Sequence, residues 1–308
     1  MSTTTTIIPE LLRAGLWDSS FRGIGQTKPY WKEIIPNMNK SRQSYEEIVS
    51  MSGLGLMRRI DETEPYPQML DVPRGKKRYV CYGYGGAVVW NRSLKNRDIY
   101  NYTKRIGQQL GVSFVETRNF LAARTLVSAA SLTLSLATTS WDGAAIFGTH
   151  TTSRGTSWSN RFTLAASATN LQSMIAAIKS APSDVDTPKR FDGGFKLICG
   201  PAKVPLFTQI VHSEGLAGTA DNDTNQYINS QISKIYEEDW MTSELLGYPN
   251  SYFLLPNDDS KSPFIGFEVQ PYMTDAYEDK DHRMWKLASF AEFSFDGFDH
   301  YGCAASIV

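Results

Sequence analysis

"NRDIYNYTKRIGQQLGVSFVETRNFLAARTLVSAASLTL", residues 96–134, contains no proline and decides what kind of fold the chain can build. Ile99, Tyr102, Ile106, Leu110 and Phe114 recur at intervals of three or four, with Leu121 near the continuation, so they line one face of an α-helix. The stripe predicts a helix over about residues 97–136. At 1.5 Å per residue it spans about 45 Å or more, against a usual helix of about 11–12 residues. A helix of that length is the backbone of a fold, and Gly107 and Gly111 are places where it can bend.

Downstream, "WDGAAIFGTHTTSRGTSWSN" (141–160) offers Asp142, His150 and several hydroxyls. "AAIF" reads as a buried strand and His150 with its threonine neighbours as a hydrogen-bonding corner. "SATNLQSMIAAIKSAPSD" (167–184) is a second amphipathic helix, capped by Thr169 or Asn170 and stopped near Pro182. In "GGFKLICGPAKVPLFTQIVHSEG" a buried strand, Phe195–Cys199, turns at Gly200-Pro201 into a helix, while "LAGTADNDTNQYIN" reads as a polar surface loop. "SYFLLP", "PFIGFEVQPYM" and "WKLASFAEFSF" are late strands, the last alternating as a half-buried strand does. Helices and strands in this order predict an α+β fold.

Upstream, "PELLRAGLWDSSF" and "SRQSYEEIVSM" read as short helices on an otherwise extended arm, the second opening with Ser41 as N-cap. Between them Tyr30, Trp31, Ile34 and Ile35 need burial, on this chain's own surface or a neighbour's. In 53–90, strand-like runs around 66–72 and 78–90 flank "VPRGKKR", a charged turn, which predicts a long β-hairpin. "DETE", with Glu62 and Glu64, and "RGKKR", with Arg74, Lys76, Lys77 and Arg78, lie near its two ends. That arrangement suits pairing with the opposite charge on another copy; a solvated loop is the alternative.

Composition narrows the function. With 308 residues, 41% of them hydrophobic, the chain can bury the core of one large domain or two moderate ones. Lysine plus arginine number 31 against 32 acidic residues, so nothing global marks a dedicated nucleic-acid binder. Cys81, Cys199 and Cys303 fit no metal-ligand spacing and leave an odd thiol, which points to a reducing compartment. The start "MSTTTTIIPELL" lacks a secretory signal, and no run approaches the roughly 18 apolar residues of a membrane span.

The chemical motifs fail on context. "YGYGGAVVW" lies between strand-like residues with no helix start or Lys-Ser/Thr pair, so bulged β-structure is the better reading than a phosphate loop. His150, His212, His282 and His300 are dispersed and read as structural, and "TADNDTN" lacks the glycine and terminal glutamate of a calcium loop. No catalytic, cofactor-binding or metal residue is assigned, and no cofactor is expected.

The whole order, an arm that cannot bury its aromatics, a charged hairpin, one very long helix, an α/β region and late strands, resembles the major capsid protein of tailed bacteriophages. The likeness is greatest to the Mu-like major head subunit branch, over "YEEIVSMSGLGL" (45–56), "EPYP" (64–67), "YVCYGYGGAVVWNRSLKNRDIYN" (79–101), "DGAAIFGTHTT" (142–152), "SNRFTLAASATNLQSMIAAI" (159–178) and "GFKLICGPA" (194–202). It covers nearly the whole chain. The resemblance implies an N-terminal arm (1–50), an E-loop hairpin (51–90), a P-domain with a spine helix (91–188, with return strands 264–296) and an A-domain (189–263, with a C-terminal segment 297–308). It further implies hexamers and pentamers in an icosahedral shell around double-stranded DNA bound without sequence specificity. A portal protein at one vertex, scaffold and decoration or cement proteins, no membrane, and assembly in the host bacterial cytoplasm belong to the same picture. On it, Arg74, Lys76, Lys77, Arg78, Glu62 and Glu64 contact adjacent subunits, Trp17, Tyr30 and Trp31 are apolar anchors, and His150 lies near a subunit boundary. Two alternatives stand beside it: an encapsulin-like nanocompartment shell, and a soluble hydrolase-type enzyme using Asp142 and His150.

Overall fold

The computed structural model describes residues 4–54, 56–57, 66, 68–69, 71, 73–91, 102–130, 138–152, 155–183, 185, 189–213, 226–243, 245–279 and 284–308. Its first element is one helix, α1 (Thr4–Gln26), where the arm was expected to be extended with short helices. A single turn, α2 (Trp31–Ile34), follows, then β1 (Met38–Lys40) and β2 (Tyr45–Met51). The β2 segment was expected to be helical, but its side chains alternate in exposure as a strand's do. Ser41 closes a turn before it: its Oγ accepts from the Gln43 N–H (3.0 Å) and donates to Glu46 Oε1 (2.6 Å).

The hairpin is also arranged differently from the expectation. Residues read as its charged tip are strand β3 (Pro73–Val80), paired antiparallel with β2 from Tyr45↔Val80 to Met51↔Pro73. The tip therefore lies between Met51 and Pro73, where the acidic residues 61–64 fall outside the described residues. After Cys81 the chain enters β4 (Tyr82–Asn91), which leaves the β2–β3 ribbon and joins a different sheet.

Helix α3 (Tyr102–Ser128) is the long helix, 27 residues or about 40 Å. It ends in a turn at Ala129–Ala130, short of the expected end, and residues 131–137 lie outside the described ones. Gly107 and Gly111 let α1 lie against it. A Cβ on Gly111 would come 2.0 Å from the Ser20 carbonyl oxygen, and one on Gly107 would come 2.1 Å from Ser19 Oγ. The glycines therefore serve contact between two helices that approach backbone to backbone.

Beyond α3 come β5 (Thr149–Thr151), β6 (Ser157–Ser159), β7 (Arg161–Phe162) and α4 (Ala168–Lys179). "AAIF", expected as a strand, is irregular, although Ala145, Ile146 and Phe147 are buried. Ser167, two residues before the first of the expected caps, accepts from Asn170 N and starts α4. Next are β8 (Phe195–Cys199), α5 (Val204–His212), α6 (Gln226–Gln231, where a loop was expected) and β9 (Ile232–Glu237). Strands β10 (Tyr252–Pro256), β11 (Phe264–Asp279), β12 (Met284–Gly297) and β13 (Ala304–Ser306) complete the fold.

The described strands form a four-stranded sheet β1-β11-β12-β4 and a five-stranded sheet β7-β13-β10-β8-β9, besides two two-stranded pairs. Ten consecutive residue pairs join β4 to β12 without a shift, so the glycine run is not bulged; Gly83 leaves room for the Phe290 ring instead. β10, in the middle of its sheet, is buried along its whole length, as its apolar sequence requires. One core joins Trp31, Ile34, Leu126, Val127, Phe147, Phe253 and Phe264; a second packs α4 and α5 on the five-stranded sheet through Leu171, Ile175, Phe207 and Leu254. Full burial of each such side chain stabilises by about 1.5–3 kcal/mol.

Candidate functional site

Strand geometry sorts the basic residues of β3. Lys76 and Arg78 point outward, Lys76 standing 3.6 Å from Glu47 and Arg78 lying 3.8 Å from the centre of the Tyr45 ring. Lys77 points inward. Its ammonium donates to Asp296 Oδ1 and Gly297 O, both at 2.8 Å, and to Thr139 O, so its three N–H groups meet three acceptors inside the chain. Burial lowers its pKa while Asp296 opposes that, and burial raises Asp296 while Lys77 opposes it. Lys77 thus roots the ribbon in its own subunit and is not a docking cation. Arg74 Nη2 donates to Ser52 O at 3.4 Å. Around the outward charges, Tyr45, Val49, Met51 and Val80 are exposed, giving the ribbon an outer face that mixes apolar and charged groups.

The arm anchors separate in the same way. Trp17 is 53% exposed and packs on Phe21 at 4.5 Å. Trp31 is only 7% exposed: its ring stacks on Phe295 and its backbone N–H donates to Asn119 Oδ1, so its own core holds it. Tyr30 is half-buried, with Lys28 Nζ 4.8 Å from its ring centre. Glu62 and Glu64 lie outside the described residues, as does His282.

Residues 138–152 bring His150 against His300, which the dispersed sequence positions did not suggest. The two imidazoles stack at 3.8 Å with planes 7° apart, 1% and 2% exposed. His150 Nδ1 lies 2.7 Å from Asp142 Oδ2 and Nε2 lies 3.0 Å from Ile146 O. Both oxygens are acceptors, so a proton on either ring nitrogen finds a partner there. His300 Nδ1 is 2.9 Å from Ser140 Oγ. Burial, then the charge of His150, pushes His300 down to about 4. Burial works against the Asp142 charge, but the His150 hydrogen bond and charge outweigh it and hold that carboxyl below the ordinary range.

Asp142, His150 and His300 bring ligand atoms within 4.8 Å of one another. A metal must lie near the ring plane of each histidine it binds, and rings stacked in near-parallel planes at 3.8 Å cannot both meet that demand. His150 is 1% exposed although Asp142 beside it is exposed, so the imidazole of the expected hydrolytic pair is turned away from solvent. The corner is instead an interlock, completed by Asn160, which sequence reasoning missed. Its Nδ2 donates to Ile146 O (2.9 Å) and His300 O (3.0 Å), while its Oδ1 accepts from Gly148 N (2.9 Å).

Arg118, half-buried, and Glu238, buried, were also missed. Arg118 pairs with Glu268 and has its guanidinium about 5 Å from three rings, Trp31, Phe114 and Phe293. Its place on the α3 stripe, four residues after Phe114 and three before Leu121, was the available signal. Glu238, 5% exposed, caps the turn Asp239–Thr242 by accepting from Trp240 N at 3.4 Å, in a cleft shared with Tyr30, Glu116 and Asn119. Burial pushes its carboxyl up to about 7; the Trp240 N–H opposes this and Asp239 and Glu116 add to it.

The long helix crossing a sheet of long antiparallel strands, beside a second mixed sheet, is the fold of particle-shell subunits. A virus-like particle from Pyrococcus furiosus is similar at TM-score 0.56 and 8% identity, over 95% of this chain and 98% of that one. The capsid of Cyanophage P-SCSP1u is similar at TM-score 0.57 and 8% identity, over 88% and 85%. The procapsid of bacteriophage JBD30 is similar at 0.51 and 10%, over 99% and 76%. No curated protein matches the sequence. Residues 82–305 match the model of a family described as "Phage capsid protein", and the chain belongs to that family. It is a phage capsid shell protein, a structural component of the virion and not an enzyme.

Proposed function

We propose that this chain assembles as hexamers and pentamers into the icosahedral head of a tailed phage, enclosing double-stranded DNA without sequence specificity. Assembly takes place in the host bacterial cytoplasm around a portal protein at one vertex, with scaffold or cement proteins as further partners. The supporting observation is the β2–β3 ribbon. Its inner side is rooted through Lys77 and Tyr79, while its outer side exposes Tyr45, Val49, Met51 and Val80 among Glu47, Lys76 and Arg78. Such a face gains stability only against another surface, and in a closed shell every copy contributes one. Arg74 and the exposed Trp17 on the arm are further contact residues in this reading, together with Glu62, Glu64 and Tyr30.

In this reading α3, β11 and β12 belong to the P-domain and β8, β9, β10 and β13 to the A-domain, while β7, expected in the P-domain, pairs into the sheet of the latter. The pairing of β4 with β12 supports ending the E-loop at about residue 81 in this reading. A nanocompartment holding protein instead of DNA is the second reading, favoured by the near-complete overlap with the Pyrococcus particle subunit. Electron microscopy of purified particles with analysis of their contents separates the two. DNA supports the first reading, protein cargo the second, and a chain that forms no particle in its host refutes both. Particle yield unchanged in a Lys76→Glu, Arg78→Glu variant would refute the role of the ribbon's outer face.

A further inference from the structure

We propose that the stacked imidazoles of His150 and His300, with Asp142, form an acid-sensitive latch clamping the segment after α3 to the segment before β13. The clamp has several clasps besides the rings. Trp141 N donates to Phe298 O (3.1 Å), Ser140 Oγ to the same oxygen (3.2 Å), and Asn160 Nδ2 to His300 O (3.0 Å). All join residues 138–160 to 298–303 across the same seam as the two rings.

The charges around the rings determine what a further proton does. Both nitrogens of His150 face acceptors, whereas His300 has Ser140 Oγ at Nδ1 and its ring lies against that of His150, so acid that protonates both rings sets two cations face to face. Asp142 faces both rings, at 2.7 Å from His150 Nδ1 and 3.9 Å from His300 Nδ1, and its close bond is to His150. Asp299 is 4.0 Å from His300 Nδ1, but Lys189 pairs with it at 3.4 Å. Lys189 also lies 3.3 Å from the centre of the Tyr301 ring and adds positive charge to the corner. The remaining neighbours, Trp141, Trp158, Tyr301 and Ser140, carry no charge at these pH values. A second imidazolium therefore forms 3.8 Å from the first, with one close carboxylate between two cations and little water to screen them. Repulsion then parts the rings and the seam opens locally. The depressed pKa of His300, about 4, places the opening in mild acid, with the latch closed at neutral pH.

Hydrogen exchange of the full chain, corrected for the intrinsic effect of pH, tests this. On going from pH 7 to pH 4, amides in 138–152 and 298–303 should exchange at least about tenfold faster, while those of α3 change far less. In His300→Phe, which keeps a ring but cannot take the proton, the acid-induced rise should vanish. Seam exchange independent of pH in the wild type, or an undiminished rise in His300→Phe, overturns the proposal. Should that variant not fold, exchange at the imidazole C2 position of the wild-type chain reads the protonation of His300 directly. His300 should titrate well below an ordinary imidazole, and titration in the ordinary imidazole range overturns the latch.

Discussion

Replacing Glu238 by glutamine should stabilise the chain at pH 8 and leave it unchanged at pH 4.5. The carboxyl is buried in its cleft, accepts one long hydrogen bond from Trp240 N, and has Asp239 and Glu116 as charged neighbours. Its folded pKa, about 7, stands above the ordinary 4.5, so between these values the folded chain holds a proton that the unfolded chain has lost. Stability from this group is therefore full below pH 4.5 and is lost as pH rises through 7. A gap of about 2.5 pH units at 1.36 kcal/mol each makes the loss about 3 kcal/mol. Glutamine keeps an oxygen for the Trp240 N–H and carries no charge, so it removes the loss. His300 acts with the opposite sign: its contribution is full above 6.5 and is lost as pH falls through about 4. The two windows overlap, so wild-type stability should be nearly level between about pH 4.5 and 6.5, whereas Glu238→Gln should rise with pH there. Urea denaturation across pH 4.5–8 measures both curves. A variant no more stable than wild type at pH 8, or a difference that does not vary with pH, refutes the reasoning.

Gly111→Ala forces α1 away from α3, because the added methyl meets the Ser20 carbonyl at 2.0 Å, and should cost at least about 2 kcal/mol by thermal unfolding. Gly86→Ala, whose methyl meets only Leu110 Cδ1 at 3.7 Å, should cost less than Gly111→Ala in the same assay. Asn160→Leu leaves the Gly148 N–H and the Ile146 and His300 carbonyls without that partner, and should lower stability by about 2–4 kcal/mol in urea. Lys77→Met takes the ammonium from the half-buried Asp296 and should cost about 1–3 kcal/mol in the same assay, and a second change, Asp296→Asn, should recover much of it in a double-mutant cycle.

Periodicity made the large elements legible. The stripe from Tyr102 to Leu121 gave α3, and the alternation in "WKLASFAEFSF" gave β12, because burial on one face leaves a repeat that local sequence carries. Where residues of 73–78 had to be assigned, Pro73 and Gly75 looked like turn signals. Their pairing with Tyr45–Met51 depends on residues more than twenty positions away, which no local pattern records. Ser41 misled for a related reason: the same hydroxyl can cap a helix or close a turn, and the β-branched and alternating residues after it decide. At the corner, Asp142 and His150 were legible as polar residues in a buried stretch. Their partner, His300, lies 150 residues further on and is brought in by the pairing of β13 with β7 and β10.

The two titrating sites occupy corresponding places in the architecture. Glu238 follows β9 and faces Glu116 on α3; His300 precedes β13 and faces His150 on the segment that leaves α3. Each thus sits where the five-stranded sheet meets the layer built on the long helix, and their signs are opposed. Acid protonates Glu238 and relieves repulsion at one junction while it charges His300 and creates repulsion at the other. Total stability can then stay nearly constant while the hold between the two layers passes from the seam to the cleft. By contrast, Lys77 meets its three acceptors at the ribbon root, and α1 rests on α3 by backbone contact. Mild acid should accordingly alter how the five-stranded sheet sits on α3 before it alters the rooting of the arm or ribbon, the two parts that reach outward.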